Sequence, residues 1–141
     1  MSGRRSLLLA AAALVTLCAC SQPGNPTVVV RNAWSPAAPP GATVVAIFGE
    51  IEASQDDVLL RIFTPYAHSA ELHSTSEENG MMKMRPVTRL ELKAGTPVTL
   101  APGGMHVMLM DMHESVAAGA QIPVTFQFER SGEVAVMAQV K

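Results

Sequence analysis

Turn-forming residues cut this chain into short pieces, and that punctuation constrains its fold more than any other feature. Pro39-Pro40-Gly41, the polar stretch 54–57, Asn79-Gly80, Pro102-Gly103-Gly104 and Ser131-Gly132 recur along the chain. Each supplies the special backbone angles or local hydrogen bonds that turns require. Between them lie β-prone runs at residues 28–33, 43–52, 58–63, 70–75, 82–87, 89–92, 97–100, 106–110, 122–128 and 133–140. The run 43–52 is dense in β-branched residues and alternates from Phe48 onward. Residues 112–119 have room for one helical turn at most. Many short strands at regular spacing predict an all-β sandwich or barrel forming a single domain.

The domain begins after an export address. Arg4 and Arg5 form a basic start, residues 7–17 are apolar, and small residues follow up to Cys18-Ala19-Cys20. This is the layout of a secretory signal peptide, and the apolar run is short for a membrane span. Leu17-Cys18-Ala19-Cys20 resembles a bacterial lipobox, with cleavage before Cys20 and a lipid added to its thiol. Residues 1–19 are therefore read as leader. Residues 20–27, with two prolines and a glycine, are read as a flexible tether. Residues 28–141 form the domain. The expected location is outside the cytoplasm, periplasmic or in the cell envelope, with a lipid anchor at Cys20.

Cleavage leaves Cys20 as the one cysteine, so no disulfide can form within the domain, even in a compartment that permits them. Losing Arg4 and Arg5 leaves eight basic against twelve acidic side chains, a formal net charge of −4. No basic cluster exists, which argues against a nucleic-acid partner. No constellation of catalytic residues with an open substrate position is visible either, so the chain reads as a binding protein rather than an enzyme.

Methionine is the outlier of the composition. Nine occur, and seven lie between Met81 and Met112. Two of the seven, Met84 and Met108, join His73 and His106 in a soft, uncharged donor set. Two imidazoles and two thioethers suit Cu(I) better than zinc, calcium or magnesium, which prefer harder or anionic partners. His106 and Met108 share one face of a strand, because side chains there alternate with period two. A hairpin turn centred on Asn79-Gly80 sets His73 opposite Pro86 and Met84 opposite Thr75; a turn centred between Glu78 and Asn79 sets His73 directly opposite Met84. In both registers His73 and Met84 share a face. The bland alternative is that methionine fills β cores and a single histidine is a surface residue. His68 and His113 are read that way. Met110 and Met112 are read as rim or core, and Met81, Met82 and Met105 as a collar beside the ligands.

The four candidates follow the pattern H-x10-M-x21-H-x-M. In this, and in the segments Ala33-Trp34, Pro39-Pro40-Gly41, Glu71-Leu72-His73, Gly80-Met81-Met82-Lys83-Met84-Arg85-Pro86-Val87 and Pro102-Gly103-Gly104-Met105-His106-Val107-Met108, the chain resembles the PCu(A)C family of periplasmic copper chaperones. The likeness spans about residues 28–140. It departs at Ser35-Pro36, Ile47-Phe48 and Glu50, none of them a candidate ligand. The resemblance implies a cupredoxin-like Greek-key β-barrel or sandwich that holds Cu(I) through His73, Met84, His106 and Met108. It implies delivery to the CuA centre of apo cytochrome c oxidase subunit II, together with a Sco-type thiol protein, by ligand exchange in which a methionine leaves first. Rival readings are a copper buffer or resistance protein with no dedicated client, and a metal-free lipoprotein interaction module. A blue-copper electron carrier is excluded, since its site needs a cysteine thiolate.

Overall fold

The computed structural model describes residues 27–141; the leader, Cys20 and the tether up to residue 26 lie outside the described residues. Ten strands run in order: β1 Val28–Ser35, β2 Val44–Ala53, β3 Asp57–Phe63, β4 Ala67–Glu78, β5 Met81–Pro86, β6 Leu90–Leu92, β7 Val98–Leu100, β8 His106–Met112, β9 Gln121–Phe128 and β10 Gly132–Val140. Each falls on a run expected from the sequence. No helix occurs among the described residues, and 113–119 is irregular. β4 extends well beyond residues 70–75. β8 pairs it from Ala67 to His73 and β5 from His73 to Glu78, so hydrogen bonding carries polar residues such as Ser74 and Ser76 into the strand.

The hydrogen-bonded order is β5-β4-β8-β2-β1-β10-β9-β3-β6, with β7 also on β2. β2 joins the two halves. Its residues from Val44 to Ile47 pair with β8, and its residues from Gly49 to Ile51 pair with β7 on the way to β1. β1 pairs in parallel with β10, bringing Trp34 beside Gln139. Inward-facing residues alternate as a half-buried sheet demands. On β9 these are Ile122, Val124, Phe126 and Phe128; on β8 they are Val107 and Leu109; on β2 they include Ile47 and Ile51. All are close to fully buried, each contributing on the order of 1.5–3 kcal/mol of burial free energy. The all-β expectation holds, with ten strands in one cupredoxin-like domain.

Two departures from regular strand shape set up the outer surface. β1 bulges between Arg31 and Trp34, with Asn32 at φ 51°. The bulge brings the β1 backbone so close to β2 that a Cβ at Gly49 would sit 3.0 Å from the Arg31 carbonyl oxygen. β7 and β8 lie along the same edge of β2, and the segment 101–105 loops out between them. That loop is closed by Ala101 N–H donating to Met105 O (2.9 Å) and Gly104 N–H donating to Ala101 O (3.0 Å).

Candidate metal centre

Because Val107 and Leu109 point into the core, His106 and Met108 project from the outer face of β8. The same holds on β4, where Leu72 is buried and His73 and Glu71 face outward. Register then sets His73 directly across from His106 and Glu71 across from Met108. The two imidazole rings meet edge to face, with centroids 5.9 Å apart.

Met84 arrives from the other side of β4. Asn79 and Gly80 both adopt positive φ, 54° and 75°, which is the two-residue type I′ turn that Asn-Gly favours. Of the two registers open to the sequence, the hairpin takes the one that pairs His73 with Pro86 and Thr75 with Met84. His73 and Met84 are thus diagonal neighbours on one face. Their donor atoms, Nδ1 and Sδ, stand 3.2 Å apart. Around a tetrahedral d¹⁰ ion with bonds of about 2.0 and 2.3 Å, nitrogen and sulfur donors stand about 3.5 Å apart.

The hydrogen bonds around the rings determine which nitrogens are free. His106 Nδ1 lies 3.2 Å from the Gly104 carbonyl oxygen, which can only accept, so Nδ1 carries the proton and Nε2 is bare. The same carbonyl accepts from Thr75 N–H, tying the 101–105 loop to β4. His73 Nε2 stands 3.0 Å from the Glu71 carboxylate, leaving Nδ1 towards Met84. Phe48 closes the flank of His106 at 6.3 Å between centroids and is covered by Trp34 at 4.9 Å. Phe48 is buried without joining the central core, so it serves this outer face.

The structure brings together His73, Met84 and His106, with Met108 one outward step further along β8. It separates the remaining candidates. His68 is exposed, and His113 donates to the Pro65 carbonyl at 2.6 Å. Met82 shares the Met84 face of the hairpin, but Met81 alternates to the opposite face and Met105 packs against the core, so the expected collar reduces to Met82. On the Met81 face, Glu78 pairs with Lys83 (2.9 Å) and Arg85 (2.7 Å) and braces the exposed hairpin. Sequence reasoning did not single out Glu71 or the Trp34–Phe48 wall. Glu71 had a usable signal, since it sits two residues before His73 on the same strand face. The Phe48–His106 contact had none. Two imidazoles and two thioethers on this outer face are nitrogen and sulfur side chains of the soft kind that copper favours.

The fold and this outer face define a PCuAC-type domain. The copper-bound PCuAC domain from PmoF2 superposes with a TM-score of 0.67 at 25% identity, over 81% of this chain and 92% of that one. The solution structure of Cu(I)-DR1885 from Deinococcus radiodurans gives a TM-score of 0.66 at 29% identity, over 84% of this chain and 81% of that one. Residues 28–140 match the LpqE-like family, a family of lipoproteins by description, and the chain belongs to it. A relative from Leifsonia xyli subsp. xyli, Lxx21020, also a lipoprotein by name, is 33% identical over 117 residues, which cover 81% of this chain and 69% of the relative.

Proposed function

We propose that this protein is an exported, non-catalytic copper chaperone that holds Cu(I) through His73, Met84, His106 and Met108. The observation that carries the reading is the 3.2 Å approach of two potential donor atoms, His73 Nδ1 and Met84 Sδ, with the His106 ring edge-on beside them. Two structural relatives, a copper-bound PCuAC domain and a Cu(I) form of DR1885, support it. Thioethers disfavour the harder Cu(II), so the reduced ion is the cargo. The half-exposed Met84 is the donor an acceptor can reach first. Release proceeds by exchange: an incoming thiolate or thioether displaces a methionine, and the imidazoles of His73 and His106 hold the ion until late. The client is the apo CuA domain of cytochrome c oxidase subunit II, assisted by a Sco-type thiol protein. Residues 1–19 are removed as a leader, and Cys20 carries a lipid that tethers the domain to a membrane through residues 20–27. The lipoprotein names of the family and of the Leifsonia relative support the anchor.

Titration with Cu(I), followed by incubation with an apo CuA domain, tests the reading. One ion per chain in a two-nitrogen, two-sulfur shell, then transferred to the CuA domain, is the expected result. Binding without transfer identifies a copper buffer, and neither binding nor transfer identifies a metal-free interaction module. Mass spectrometry of the exported protein, read for a diacylglycerol adduct on Cys20, tests the anchor.

A further inference from the structure

Resting on the copper reading above, we propose that Glu71 is a positioning residue of the centre: it keeps the His73 proton on Nε2, so that His73 offers Nδ1 while His106 offers Nε2. The two imidazoles would then present opposite ring nitrogens to one ion.

An ionised carboxylate accepts and cannot donate, so the 3.0 Å contact between Glu71 Oε2 and His73 Nε2 requires a hydrogen on Nε2. In the neutral ring Nδ1 is then bare, and it is the nitrogen that stands 3.2 Å from Met84 Sδ. The opposite tautomer would set the Nε2 lone pair against a negative oxygen and cover the Nδ1 lone pair with a proton. Sheet geometry makes the arrangement robust. Residues 71 and 73 share a face of β4, and register sets them opposite Met108 and His106, so the carboxylate sits among the side chains it organises. His106 achieves the complementary result with a backbone acceptor, the Gly104 carbonyl, and needs no carboxylate. Glu71 is about half exposed, so water screens its charge and its main role is orientation. Carboxylates that receive the second N–H of a metal-binding histidine typically matter by about 10–100-fold in affinity.

The test is nitrogen-15 NMR of the histidine rings, in the metal-free and Cu(I)-loaded protein, at a pH where the rings are neutral. The expected spectra show His73 protonated on Nε2 and His106 on Nδ1 in both states. Glu71→Leu should give His73 mixed tautomers and lower Cu(I) affinity by about 10–100-fold in chelator competition. Glu71→Gln, whose amide oxygen still accepts, should restore the single tautomer and most of the affinity. A His73 protonated on Nδ1 in the unaltered chain, or a Glu71→Leu protein with tautomer and affinity unchanged, would overturn the proposal. Failure of the unaltered chain to take up Cu(I) would instead remove the copper reading, and the metal-free ring signals tell the two apart.

Discussion

Asp57 and His106 are buried to nearly the same degree, 3% and 5% exposed, yet they are bonded in opposite ways. Asp57 accepts from the N–H groups of Val58 (2.8 Å), Arg130 (2.9 Å) and Ser131 (2.9 Å) and from the Ser131 hydroxyl. Burial pushes its pKa up, but these hydrogen bonds, led by the Ser131 hydroxyl, outweigh that and hold the carboxyl below its ordinary value of 3.8. A carboxylate so fully satisfied is architecture, clamping the β9–β10 turn to the start of β3. His106 has one nitrogen committed to Gly104 and one left bare, and across the sheet His73 faces a sulfur with its own lone pair. Saturated polar groups hold the molecule together; the unsaturated ones are where an ion can bind.

That contrast breaks most sharply at Asp57. Asp57→Ala strands donors at the β9–β10 turn and should lower unfolding free energy by about 3 kcal/mol in urea titrations, with Cu(I) affinity unchanged. A loss of copper affinity there would erase the distinction between the two regions. His106→Ala should do the reverse, weakening Cu(I) binding by about 100-fold or more, which is roughly 2.7 kcal/mol, as measured by competition with a Cu(I) chelator. Unchanged competition would sink the ligand assignment. Met84→Leu keeps the apolar bulk on the exposed hairpin and removes only the sulfur. It should weaken Cu(I) binding in the same chelator competition, by less than His106→Ala does, and leave unfolding unaffected.

The mildest effect is one of pH. The folded-state pKa of Asp57 is depressed, so its contribution is fully present above the unfolded value near 3.8 and lost as pH falls through the lower folded value. Unfolding curves collected from pH 6 downward should show Asp57→Asn lacking the part of the acid-induced decline that this group causes. A slope identical to that of the unaltered chain would mean the clamp is not ionised.

Much of the fold was legible because local rules and tertiary structure agree. The alternation of Ile122, Val124, Phe126 and Phe128 marks an inward face from sequence alone, and β9 has it. Asn79-Gly80 left two registers open, and its two positive φ angles correspond to the one pairing Thr75 with Met84. The shared face of His106 and Met108 followed from period two, and Val107 between them is fully buried. Other features depend on separations no local pattern encodes. The parallel pairing of β1 with β10 joins residues more than a hundred positions apart, and the Phe48–His106 contact spans β2 and β8. The collar failed for a local reason: adjacent residues on a strand face opposite ways, so Met81 cannot accompany Met82.

Sequence alone determined the strands, the one useful hairpin turn and the chemical softness of the donor set, because each is a property of residues close together in the chain. Tertiary structure decided that His73 and His106 face each other across neighbouring strands, and that Trp34 and Phe48 wall off one side. It also decided which acceptor faces each ring, the Glu71 carboxylate at His73 and the Gly104 carbonyl at His106. A tautomer is set by the acceptor across from it, and Gly104 reaches His106 only because the 101–105 loop folds back against β4.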